Sequence, residues 1–121
     1  MKNSTYLLLS LLFCCMSAFP KEITIHTIGD STMESKPEDT ESNPNGQRGW
    51  AQMLPCFLTE ANVKIENHAS SGRSTLSFIN EGRWDKVLSR LKKGDYVFIQ
   101  FGHNDEKTTK ELHTVPGGSF D

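Results

Sequence analysis

Three short stretches hold residue types suited to acyl transfer: "GDST" at Gly29–Thr32, "SSGRS" at Ser70–Ser74 and "GHND" at Gly102–Asp105. A serine hydroxyl is a weak nucleophile until a base takes its proton and donors stabilise the oxyanion that follows. Ser31 offers a hydroxyl and a backbone N–H. Gly72 has no side chain, so its N–H can come close to a substrate oxygen, and Asn104 carries an amide donor. Together they make one nucleophile and three donors. Each stretch also has a plainer reading. "GDST" is turn chemistry, and "SSGRST" supplies a helix N-cap at Ser74 or Thr75. Turn formation alone does not call for His103 and Asn104 after an apolar strand.

The elements around these stretches decide between the two readings. β-Branched residues dominate Glu22–Ile28, with Ile23 and Ile25 on one face and Thr24 and His26 on the other, which predicts a first strand. Residues 34–48 are polar, with two prolines and an Asn-Gly pair, and predict a surface loop. In "GWAQMLPCFLTEA", Trp50, Met53, Leu54, Phe57 and Leu58 fall at helical spacing, and Pro55 kinks that helix or marks its effective start. A short strand over Val63–Glu66 precedes the second stretch. Trp84, Val87, Leu88 and Leu91 define a second apolar helical face, which Lys92, Lys93 and Gly94 are expected to close. The stripes Trp50–Leu58 and Trp84–Leu91 are expected in the core. "YVFIQF" reads as a strand buried on both faces. His26 reads as a strand residue near a partner, and His68 and His113 as surface residues.

The order β-loop-α-β-α-β implies a parallel sheet with right-handed crossovers. All three stretches then follow strand carboxyl ends, the edge where open α/β sheets bind ligands. That shared edge favours the chemical reading over three unrelated turns.

On "GDSTM", the glycine of "ASSGRST" and "GHND", the chain resembles the SGNH (GDSL-like) hydrolases, and with "RGWAQMLP" it is most similar to their rhamnogalacturonan acetylesterase branch. The resemblance covers essentially all of the mature chain. It implies a flavodoxin-like three-layer α/β/α sandwich with a parallel sheet. Ser31 is then the nucleophile, and the Ser31 N–H, Gly72 N–H and Asn104 side chain form the oxyanion hole, with Asp30 and His103 as supporting motif residues. It further implies catalysis without a metal or organic cofactor, on an acetylated polysaccharide or oligosaccharide such as pectic rhamnogalacturonan.

The family's base and orienting acid come as Asp-x-x-His, and no aspartate in these 121 residues has a histidine three positions on. With three strands where a flavodoxin-like sheet has five, the expectation is an N-terminal portion (19–121) of an esterase domain, inactive and poorly soluble alone. A bare edge on "YVFIQF" would favour association. His113 as a substitute base is disfavoured, because a flexible loop holds geometry poorly. Two rivals stand beside the esterase. A metallophosphoesterase is suggested by "GD" and "GHND" but lacks an Asp-x-His before Asp30, and the other rival is a non-catalytic carbohydrate-binding fragment.

Residues 1–18 have the layout of a signal peptide: Lys2, an apolar run Tyr6–Met16, then small residues. That run is short of the roughly 20 residues a bilayer needs, so secretion or periplasmic export without membrane insertion is expected. Lipidation at Cys14 or Cys15 is the weaker reading, because bulky Phe13 sits where a small residue belongs. Removal of Lys2 shifts the formal charge from −2 to −3, which argues against nucleic acid or an anionic membrane as partner. Cys56 is then the single cysteine, so no internal disulfide is expected.

Overall fold

The computed structural model describes residues 21–114; the signal-peptide and lipidation readings fall on residues outside that range. Three strands, β1 (Ile23–Gly29), β2 (Val63–Asn67) and β3 (Tyr96–Gln100), form one sheet in the order β2-β1-β3. Both pairings are parallel: Ile25 sits opposite Ile65 on one side and Tyr96 on the other. β1 is central because its β-branched residues tolerate neighbours on both edges. Its residues from Ile25 to Gly29 are all buried.

The helices are α1 (Trp50–Met53), α2 (Thr75–Asn80) and α3 (Arg83–Leu88). Gly82, at φ 66°, separates α2 from α3 in the left-handed conformation that glycine adopts without steric cost. On the face of β1 that carries Ile28, Phe78 and Val87 complete a buried cluster, with Trp84, Leu91, Val97 and Phe101 packed around it. Phe78 and Phe101 meet edge to face, ring centroids 5.3 Å apart, a pairing that adds about 0.5–1.5 kcal/mol beyond burial. Met33 and Ala51, both in the long segment between β1 and β2, are buried as well.

Several sequence expectations change. Pro55 lies in a 3₁₀ turn, Leu54–Cys56, which limits α1 to a single turn. The expected Trp50–Leu58 core stripe therefore does not form: Trp50, Met53 and Phe57 are exposed. α3 stops at Leu88, itself exposed, and Lys92 and Lys93 belong to a turn closed by Asp95 rather than to the helix end. Gly94 does take a positive φ, 100°, but within that turn. β3 occupies an edge of the described sheet, so Tyr96, Phe98 and Ile99 are exposed instead of buried on both faces. The described residues supply one helical layer and a loop layer around the sheet, part of the three-layer sandwich expected.

Candidate functional site

Chain geometry at the carboxyl end of β1 is set by glycine. A Cβ on Gly29 would lie 2.4 Å from the Gln100 carbonyl oxygen, so only glycine lets β1 and β3 run this close before the chain turns. The turn is built on Asp30, which is fully buried. Its Oδ1 accepts hydrogen bonds from the Thr32 N–H at 2.9 Å and the Thr32 hydroxyl at 2.8 Å, and its carbonyl accepts from the Met33 and Glu34 N–H groups. Its Oδ2 is buried without a partner among the described residues. Asp30 thus shapes the loop, and Ser31, half-buried, sits on the shaped turn. Met33 anchors the far side in the core.

The second loop is tied to the first. The Ser70 N–H donates to the Gly29 carbonyl at 2.9 Å, and the His68 N–H to the Thr27 carbonyl at 2.8 Å. Asn67 bridges too, accepting from the Thr27 hydroxyl and donating to the Met33 carbonyl. Lys36 Nζ donates to Glu34 at 2.6 Å and to the Ser71 hydroxyl at 2.7 Å, and that hydroxyl donates to Glu34. Burial alone would raise the Glu34 pKa, but the hydrogen bonds from Lys36 and Ser71 outweigh it and hold the carboxyl below its ordinary value. Gly72 takes φ 76°, with open space where a Cβ would stand. Its N–H is therefore unshielded by any side chain of its own.

The third loop is tied to the second. Asn104 is buried; its Nδ2 donates to the Arg73 carbonyl at 3.1 Å and its Oδ1 accepts from Lys107 Nζ at 2.6 Å. One N–H of that amide is used in positioning, and the second is available as a donor. The first N–H groups of α2 are satisfied from both sides. Asp105 Oδ1 accepts from Thr75 at 3.0 Å, Thr114 Oγ1 from Leu76 at 3.2 Å, and Ser74 Oγ from Ser77 in a capping box. Such a cap contributes about 1 kcal/mol. Gln100 closes the circle from the end of β3, with its amide on the Thr32 hydroxyl at 2.7 Å and the Trp50 indole N–H on its Oε1 at 2.6 Å.

Ser31, Gly72 and Asn104 thus sit on three loops cross-linked into one rim. His103 does not join them; it is exposed and faces Glu106 at 3.8 Å. The other described histidines are engaged elsewhere, His26 with His68 and His113 with the Lys107 carbonyl. A hydroxyl and donors are present in this rim; an imidazole base for Ser31 is not among the described residues. Sequence reading missed Asn67, Glu34, Lys36 and Gln100, which hold the rim together, because scattered polar residues carry no periodic signal.

A family model for GDSL-like lipases and acylhydrolases matches residues 25–116, all three loops included. The chain belongs to the GDSL-like lipase/acylhydrolase family. It is 39% identical over 72% of its length to the rhamnogalacturonan acetylesterase RhgT of Bacillus subtilis, covering 35% of that protein. It is 38% identical over 79% of its length to the rhamnogalacturonan acetylesterase of Emericella nidulans, covering 35% of it. A crystal structure of Bacillus subtilis YxiM superposes with a TM-score of 0.62 at 34% identity, over 72% of this chain and 24% of that one. The GDSL-like chain therefore has the α/β fold of an SGNH-type esterase and spans about a third of the length of these acetylesterases. Membership displaces the metallophosphoesterase reading of "GD" and "GHND".

Proposed function

We propose that this chain carries the nucleophile and oxyanion-hole half of a secreted serine esterase that removes acetyl groups from a polysaccharide, with rhamnogalacturonan as the substrate class. Ser31 Oγ attacks the acetyl carbonyl, and the Ser31 N–H, the Gly72 N–H and the free N–H of Asn104 receive the oxyanion. Asp30 positions the serine turn and takes no proton. In this reading the base and its orienting acid are an Asp-x-x-His pair, which these 121 residues do not contain.

The cross-linked rim is the observation that carries this reading, since it brings a serine and two classes of donor to one strand edge. Two relatives named as rhamnogalacturonan acetylesterases support the substrate. The charged, apolar and small-residue order of residues 1–18 supports export, which a polymeric substrate requires. No helix among the described residues is long and apolar enough to cross a membrane.

The test is acetate release from acetylated rhamnogalacturonan by protein extended to the length of these relatives. Wild type releases acetate, and Ser31→Ala releases none while still binding polymer. Turnover retained in Ser31→Ala contradicts the proposal. Absence of acetate release, with activity on another acetylated polysaccharide, would keep the nucleophile and change the substrate.

A further inference from the structure

On the helix-covered face of the sheet, at the β1–β2 seam, two imidazoles and two carboxylates come together that the esterase reading does not use. His26 on β1 is 1% exposed, and its Nδ1 lies 3.0 Å from Nε2 of His68, just past the end of β2. Glu66 Oε2 lies 3.8 Å from that Nδ1 and 3.6 Å from that Nε2. His68 is therefore turned inward against His26, not placed on the surface as its sequence context suggested.

We propose that His26 Nδ1, His68 Nε2 and Glu66 Oε2 form a binding site for a divalent transition-metal ion of the zinc class. Metal–donor bonds of about 2.0–2.1 Å at tetrahedral angles place donor atoms about 3.3–3.5 Å apart, and the three separations here bracket that spacing. The ligand types fit as well: two neutral imidazoles and one carboxylate leave a fourth position for water. The rings are nearly parallel, 11° between planes with centroids 5.2 Å apart. In this pairing the two nitrogens face each other, so ion binding requires the rings to turn, and His68, half-buried, is the freer of the two.

The surroundings supply an independent reason. His26 Nε2 is buried and has no hydrogen-bond partner among the described residues. It lies 3.7 Å from Asp95 Oδ2, and Asp95 is pinned by the Thr24 and Lys92 N–H groups. With Nδ1 on a metal, the neutral ring carries its proton on Nε2, facing that carboxylate. A carboxylate behind a ligating histidine is the usual outer partner in metal sites. Lys64 and Arg90 oppose the ion electrostatically, since both already contact Glu66. Lys64 binds the other oxygen, Oε1, at 2.7 Å, and Arg90 is largely exposed, so it can withdraw.

The site is structural and separate from ester cleavage. His26 lies on the strand that leads to Ser31 and His68 on the segment that leads to Gly72. A bound ion would therefore cross-link the bases of the nucleophile and oxyanion loops.

Zinc titration of the chelator-treated full chain, read by calorimetry and thermal unfolding, tests the site. One equivalent is expected to bind at about micromolar affinity or tighter and to raise the melting temperature, and cobalt substitution is expected to give the visible bands of a tetrahedral centre. His68→Gln and Glu66→Gln should each abolish one-equivalent binding, and Asp95→Asn should weaken it by about 10–100-fold. Absence of zinc binding into the millimolar range, with the two imidazoles only sharing a proton, overturns the proposal. So does binding unchanged in His68→Gln and Glu66→Gln. Should those variants fail to fold, an octahedral cobalt spectrum in wild type would equally overturn it.

Discussion

The loop rim at the strand carboxyl ends and the outer edge of β3 lie in one small sheet, yet they are built in opposite ways. In the rim, Asn67 and the buried Asn104 are paired across loops from distant parts of the sequence, and the buried Asp30 Oδ1 is satisfied within its own turn. At β3, apolar side chains stand in solvent, with Ile99 64% and Tyr96 58% exposed. The contrast shows which part is self-sufficient. Hydrogen bonds and glycine contacts within the rim fix its geometry without further layers, whereas the apolar surface of β3 has no cover among the described residues.

The largest effect should come from breaking the rim's backbone contacts. A Cβ on Gly49 would stand 2.1 Å from the Glu34 carbonyl oxygen. Gly49→Ala is therefore expected to destabilise by about 3 kcal/mol, measured by urea unfolding. Phe78→Ala, which empties the centre of the helix-covered core, should cost about 3 kcal/mol, near the low end for such truncations because the cluster is small. If Gly49→Ala were neutral, the rim would be softer than its contacts imply.

Smaller changes sharpen the comparison. The Glu34 carboxyl is held below its unfolded pKa, near 4.5, by Lys36 and Ser71. A lowered folded pKa contributes stability that is present above pH 4.5 and is lost as pH falls through the folded value. Wild type should therefore lose stability in acid from just below pH 4.5, and Glu34→Gln should lack that component, as acid titration of the unfolding midpoint would show. At β3 the folded state should hardly notice Ile99→Lys, within about 0.5 kcal/mol. Its effect should appear in association instead, as less self-association by light scattering. A large stability loss there would mean that Ile99 is packed after all.

Much of this was legible in the sequence, for identifiable reasons. β1 showed in its β-branched alternation, and the rim in three clusters of small polar residues after apolar runs. A cap at Ser74 or Thr75 was legible because hydroxyl side chains before a helix satisfy its first N–H groups, and it falls on Ser74. The burial of "YVFIQF" was not legible, since continuous apolarity encodes the neighbours a strand is suited to, not those the described residues supply. Trp50, Met53 and Phe57 misled because helical spacing was weighed above Pro55. His68 was misread because pairing with His26 depends on strand register, which leaves no local mark.

The central claim is that Ser31 is the nucleophile of this rim. Its most direct test is rapid-quench peptide mass spectrometry of protein extended to the length of its relatives, during turnover of an acetyl ester. The account predicts a transient acetyl group on Ser31. Acetate release with the acetyl group on another residue, or with no acetylated intermediate under conditions that trap one, would contradict it.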